Sequence, residues 1–252
     1  MVYAVWLFSI SIAFVIAERL WPWRKEQKLF RQGLLSDVLY IVFNSEYLGI
    51  VFAVVTAKLL RIYNPDPLVT LNLMSGKPYW LQFLILLPAF DFAQWAVHNA
   101  LHRVPSLWRF HKVHHSVVDM DWIGNWRFHW GEIVVYRAAM YIPTAVLGFA
   151  PAVLFYYGIL NTIIGHYAHA NMRLSLGPLK YVLNTPQMHI WHHNHPDCGP
   201  INKNFAITLS VWDWMFGTAY MPAKPPERLG FEGIETYPKN IAGQWLRPFV
   251  KG

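Results

Sequence analysis

Residues Ile133 to Ile164 form 32 consecutive positions in which Arg137 is the only charged side chain. A membrane-spanning helix uses about 20 apolar residues, so this stretch is too long to cross once and slightly short to cross twice. Pro143, Gly148 and Pro151 fall near its middle. They predict two short helices that dip into the bilayer and return, with the breakers covered by protein. Three more apolar runs precede it: Val2 to Ala17 without a charge, Val38 to Ala57 interrupted by Glu46, and Tyr79 to Val97 containing Asp91. The start MVYAVW has no early positive charge, so the first run reads as a retained anchor rather than a cleaved signal.

Composition agrees. Only 14% of the 252 residues are charged and 55% are apolar, whereas soluble domains carry roughly a quarter charged. Sixteen Phe, 13 Trp and 13 Tyr exclude a disordered chain. The single cysteine, Cys198, excludes a disulfide framework or a thiolate metal cluster and reads as an incidental thiol. The expected fold is an all-α integral membrane protein: four to five embedded helices, including a helical hairpin, under a cytoplasmic histidine-rich helical cap. Anchor helices take 1–97, the metal-binding catalytic region 98–222 with the hairpin 133–164, and a cytoplasmic tail 223–252, all in one integrated domain.

The formal charge is +7, from 21 Lys plus Arg against 14 Asp plus Glu. Nucleic-acid binding needs a solvated basic face; here the positives sit between apolar runs, as at lipid headgroups. Arg19, Arg24, Lys25, Lys28 and Arg31 follow the first run, and Arg103, Arg109, Lys112 and Arg127 follow the third, whereas Ile62 to Pro78 holds only Lys77. By the bias of positive charge toward cytoplasmic loops, the N-terminus lies outside, Glu18 to Ser36 inside, Arg61 to Pro78 outside, and the rest inside apart from the hairpin.

All twelve histidines fall between His98 and His195. HNALH gives His98 and His102; HKVHH gives His111, His114 and His115; HIWHH gives His189, His192 and His193; GHYAHAN adds His166, His169 and Asn171. Residues three and four apart share a helix face, so each cluster can aim its imidazoles at one point. The charge-derived topology brings all four groups to one cytoplasmic level. Buried imidazoles need partners, and neutral nitrogen donors suit iron, zinc, copper or nickel. Eight to ten donors are too many for one ion and fit two.

Between His98 and His195 the only carboxylates are Asp119, Asp121 and Glu132. The chain lacks the repeated Glu-x-x-His of carboxylate-bridged helical bundles and the His-Glu-x-x-His of zinc hydrolases. A histidine-rich redox centre at the membrane surface remains, best explained by two irons that activate dioxygen. Two rivals stand beside it: a non-oxidative zinc enzyme of the membrane surface, and a metal transporter or sensor. Transport favours polar residues through the full bilayer depth, whereas these clusters lie on one side.

Over roughly Asp91 to Tyr220 the chain resembles the fatty acid hydroxylase superfamily, also called the sterol desaturase family. The resemblance is carried by DFAQWAVHNALHRVPSLWRFHKVHHS, RFHWGE, the HAN group, and NTPQMHIWHHNHPDCGPINKNFAITLSVWDWMFGTAY. It implies a dinuclear, normally di-iron, site that hydroxylates or desaturates an unactivated C–H bond of a lipid, and zinc as the metal in some isolated preparations. Carried over by position, the ligands are His98, His102, His111, His114, His115, His169, His189, His192 and His193, with His166 as a further candidate. His195 is read as a non-ligand. RFHWGE has Trp130-Gly131 where relatives often have proline, which leaves His129 without a firm role.

Around the ligands, Asp91 lies seven residues before His98 at a depth where an unpaired charge is costly, and is expected to accept from the second nitrogen of a ligating histidine, with Gln94 nearby. His129, Glu132 and Asn171 are the other supporting candidates; Glu132 can instead pair with Arg127 or Arg137, and Asn171 can hold a water or cap a helix. Trp122, Trp126, Trp130, Trp191, Trp212 and Trp214 are expected mostly at the membrane boundary or in packing. No haem or flavin domain fits in the remaining chain, so the partners expected are a lipid, dioxygen and a separate reductase with ferredoxin or cytochrome b5.

Overall fold

The computed structural model describes residues 2–47 and 71–250. Its helices are α1 Val2–Leu20, α2 Leu34–Val42, α3 Tyr79–Arg103, α4 Pro105–His115, α5 Trp130–Leu147, α6 Pro151–His169, α7 Pro186–His192, α8 Val211–Met215 and α9 Ile241–Leu246. Among the described residues there is no β-strand, only three isolated bridges. The all-helical expectation therefore stands. One described helix, α3, is both long and apolar enough to cross a membrane. Residues 48–57 of the Val38 to Ala57 run and 61–70 of the Arg61 to Pro78 loop lie outside the described residues.

The helix breaks are written in the sequence. Pro105 opens α4, and Val104 before it is extended (φ −97°, ψ 112°), because proline's ring disfavours a helical residue ahead of it. That single-residue break folds α4 back against α3. In the apolar run, α5 ends at Gly148, whose left-handed φ of 73° is a helix terminus that glycine adopts without strain, and Pro151 starts α6. Pro143 stays inside α5 and does not make the turn. The hairpin helices are also longer than expected, 18 and 19 residues, close to full spanning length at about 1.5 Å per residue.

Leu86 and Phe90 of α3 pack with Val153 and Tyr157 of α6 in one buried cluster. A second cluster packs Ile190 and Trp191 of α7 with Val117, Met120 and Leu229. Outward faces carry exposed Phe8, Ile12 and Ile16 on α1, Trp80, Leu84 and Ile85 on α3, and Val134, Val135 and Ile142 on α5.

A buried ionic network joins the segment before α2 to the turn Trp122–Trp126. Arg31 donates to Asp37 (2.6 Å) and to both oxygens of Asp121, and Arg127 donates to Asp37 and to the Ser116 carbonyl (3.0 Å). Burial lowers the affinity of Arg31 for its proton, but Asp121 and Asp37 reverse that, and its pKa rises. Arg127 therefore pairs with Asp37, not with Glu132. The tail returns to this region, where Tyr40 donates to Gln244 (2.9 Å) and Trp245 packs on Phe43.

Candidate metal centre

Nine imidazoles converge into two adjoining groups, His98, His102, His111, His115 and His192 in one, and His114, His169, His189 and His193 in the other. Within each group one ring nitrogen from every residue lies within 4.8 Å of all the others. These are the nine residues that the family resemblance named. Helix α3 contributes His98 and His102, α4 the second cluster, the end of α6 His169, and α7 with the residue capping it the last three.

The orientation of the rings is fixed from outside. His98 Nδ1 meets the Phe205 carbonyl at 2.8 Å, His192 Nδ1 that of Lys203 at 2.8 Å, His114 Nδ1 that of Arg127 at 3.3 Å, and His169 Nδ1 that of Gly165 at 2.9 Å. A carbonyl only accepts, so each Nδ1 carries the proton and each Nε2 is a bare lone pair. Yet the Nε2 atoms of His114 and His169 face each other at 3.2 Å. Burial, reinforced by neighbouring imidazoles, pushes His111, His114, His115, His189, His192 and His193 well below the ordinary imidazole pKa, so protons do not bridge the gap at neutral pH. Two buried lone pairs at that separation repel; a cation between them turns the contact attractive. The donor set fits a metal.

Glu132 supports the five-imidazole group, accepting from His111 Nδ1 at 2.8 Å. The other supporting candidates sit elsewhere. Asp91 accepts from the backbone amides of Thr208 and Leu209 and from Trp212 Nε1 of α8, each at 2.9 Å, rather than from a histidine; these three donors already satisfy it. Gln94 accepts from the Tyr157 hydroxyl (2.7 Å). His129 caps α5, accepting from the Gly131 amide at 3.0 Å, and its Nε2 meets the Trp245 carbonyl. Asn171 pairs with the backbone of Arg24 in both directions. His166 stands apart from both groups, beside Ser11 and Asn125 with Trp122 against its ring. His195 caps the turn Pro196–Cys198.

Two positioning carboxylates escaped the sequence reading. Buried Asp213 accepts from the amides of Phe205 and Ala206 (2.9 and 2.8 Å) and from Trp95 Nε1 (3.0 Å), and so fixes the carbonyl that orients His98. Glu18 accepts from the amides of Trp122 and Asn171 (2.9 and 2.7 Å), tying α1 to the end of α6. Asp213 lies in the WDWMFGT string that carries the family resemblance and Glu18 closes the first apolar run, but neither pattern shows that the carboxylate is buried. Their signal is burial, which only the fold supplies.

A cavity of about 250 Å³ opens onto the histidines between α3, α5 and α6. His98, His111, His114, His169 and His189 line it together with Met140, Leu154, Tyr157 and Ile207.

The fatty acid hydroxylase family matches residues 83–218, more than half of the chain. The chain belongs to that family. An ornithine lipid hydroxylase, OlsE, of Rhizobium tropici is 27% identical over 98% of this chain and 75% of its own length. The alkylglycerol monooxygenase of Xenopus tropicalis is 31% identical over 81% of this chain, and the human one 30% over 51%. This chain spans 44% and 28% of those two, respectively. No solved structure matches the chain. Hydroxylases and monooxygenases surround it, and it is an enzyme of oxidative class.

Proposed function

We propose that this protein is a multi-pass membrane enzyme that holds two irons among its nine imidazoles and uses dioxygen to hydroxylate an unactivated C–H bond of a lipid. The observation that carries the metal is the His114–His169 contact, where carbonyl-anchored Nδ1 protons leave two buried lone pairs facing each other. Iron is favoured over zinc because zinc has no redox chemistry and the relatives are hydroxylases and monooxygenases. A lipid substrate is supported by the relatives' names, ornithine lipid and alkylglycerol, and by the apolar walls of the cavity.

When bound, the metal pair supplies the oxidation: C–H becomes C–OH with one atom of O2, while the other leaves as water with two protons and two electrons from a separate carrier such as ferredoxin or cytochrome b5. The chain supplies placement. Backbone carbonyls at Phe205, Arg127, Gly165 and Lys203 hold protons on the outer nitrogens, so the inner ones are preset as donors. The cavity walls exclude water and restrict which carbon reaches the histidines. Exposed apolar faces on α1, α3 and α5 would meet lipid, with α1, α3, α5 and α6 embedded and the histidines at the cytoplasmic surface.

The test is purification from iron-replete cells, metal analysis, and turnover of added lipids with a reductant under ¹⁸O₂. Bound iron with label in a hydroxylated lipid is expected. Protein that holds zinc alone, and stays inactive after iron reconstitution, would sink the oxidative reading in favour of a non-oxidative zinc enzyme.

A further inference from the structure

Eight of the nine imidazoles are buried, and His102 is only partly so. Trp108, itself partly exposed, packs against it: the ring centroids are 4.9 Å apart, and those of His115 and His111 lie 5.1 and 5.9 Å from Trp108. Trp108 also meets Phe231 edge-on at 6.1 Å. A continuous run of aromatic rings therefore joins Phe231 to three members of the five-imidazole group.

Phe231 lines a surface cleft of about 260 Å³ between α4 and the tail. Arg109, Lys112 and Arg247 line it too, against a single carboxylate, Glu232, among the described residues. None of the three cations is in an ion pair among the described residues. Arg109 donates to the Val250 carbonyl at 2.8 Å, and the Lys112 ammonium lies 5.1 Å from the Phe231 ring centre. Arg109 and Lys112 are three apart on α4 and so share one of its faces. Like charges held together repel, and an anionic partner relieves them. A larger cleft, between residues 24–32 and the tail, sets Glu26, Asp119, Glu227 and Glu235 against Arg24, Arg228 and Lys239, and favours neither sign.

Resting on the oxidative reading above, we propose that the basic cleft is where an acidic one-electron carrier protein docks, and that Trp108 is the point at which its electron enters the five-imidazole group. Charge complementarity steers such an encounter. Electron transfer falls steeply with distance, so a carrier gains from the place where a ligand is least covered. An anionic lipid headgroup would use the three charges but not the rings beneath them. Each encounter oxidises the carrier by one electron and reduces the centre by one. Two encounters supply the two electrons that the oxidation consumes, and its two protons come from water.

The test uses the full-length, metal-loaded protein in phosphatidylcholine nanodiscs and a reduced ferredoxin with an acidic surface. Carrier affinity is read by biolayer interferometry at two salt concentrations. Reduction of the centre is followed by stopped-flow absorbance, with photoreduced lumiflavin as a small reductant that needs no docking. The Arg109→Glu, Lys112→Glu double variant should bind the carrier at least tenfold more weakly and lose most of the salt dependence, with metal content and the lumiflavin rate unchanged. Trp108→Leu should bind the carrier as the parent does but be reduced by it at least tenfold more slowly, again with metal content and the lumiflavin rate unchanged, and Trp108→Phe should partly restore the rate. Carrier binding that ignores the double reversal, or Trp108→Leu reduced by the carrier at the parent rate, would overturn the proposal. So would phosphatidylglycerol retained through Arg109 and Lys112 in place of the carrier. Carrier binding that depends on those two residues in protein holding zinc alone supports the docking surface while defeating the oxidative reading.

Discussion

Glu132 offers a test of how the imidazoles are held. It is buried, and one oxygen accepts a hydrogen bond from His111 Nδ1 at 2.8 Å while the other has no partner. Without this acceptor the His111 ring can rotate or change tautomer, and its inner nitrogen no longer faces His98 at 3.1 Å. Loss of such an outer partner typically costs 10–100-fold in metal affinity, which is about 1.4–2.7 kcal/mol. Glu132→Ala should therefore release metal at 10–100-fold lower chelator concentration. Glu132→Gln keeps an oxygen that can accept from Nδ1 and should fall within tenfold of the parent. Chelator titration with metal analysis of the detergent-purified protein reads this directly, without turnover. Glu132→Ala that retains metal as tightly as the parent would refute the idea that the outer partners orient the rings.

Three other outcomes follow from the same geometry. Asp37→Ala leaves the buried guanidiniums of Arg31 and Arg127 short of a shared partner; breaking a buried pair costs about 3–5 kcal/mol, which at roughly 2–4 °C per kcal/mol lowers the melting temperature by about 6–20 °C, and a fall under about 2 °C would contradict it. Asp91→Asn removes charge-assisted bonds to the 208–212 segment and should destabilise by about 1–3 kcal/mol with metal content unchanged at temperatures where the fold persists; selective metal loss would return Asp91 to the histidines. For pH, burial depresses the imidazoles of His111, His114, His115, His189, His192 and His193. The unfolded chain, with histidine near 6.5, then takes up protons first as pH falls. Metal-stripped protein should keep its stability above about pH 6.5 and lose it progressively below. Thermal unfolding from pH 8 to 5 checks this, and a flat profile would count against it.

Much of the site was readable from the chain because helical spacing is local. Histidines three and four apart share a face whatever the rest of the fold does, and Pro105, Pro151 and Pro186 each mark a helix start. The supporting shell was far less legible. Asp91 reads as a partner for His98 along α3, yet amides more than a hundred residues away reach it first. Asp213 and Glu18 act through burial and bonds to backbone amides, and Asp37 through burial and the guanidiniums of Arg31 and Arg127, none of which a local pattern encodes. His166 and His169 share a short motif, but three residues along a helix at about 100° each leave them some 60° apart around the axis. One enters the cage and the other meets Ser11 and Trp122.

The two HxxHH clusters divide in a reciprocal way. From α4, the first and last histidines, His111 and His115, join the five-membered group and the middle one, His114, joins the other; from α7, His189 and His193 join the four-membered group and the middle one, His192, crosses over. Each element thus feeds both groups, so neither can assemble while the other element is displaced. The remaining donors break this symmetry. Helix α3 gives the first group a pair four residues apart, His98 and His102, whereas α6 gives the second group only His169, and the position four residues before it is Gly165. Gly165 lines the cavity, and a Cβ there would lie 2.8 Å from the Asn125 side chain. Where symmetry would place a tenth imidazole, the chain has a residue with no side chain. The four-membered group therefore opens toward the space where substrate is proposed to enter, and the five-membered group is more completely enclosed by donors.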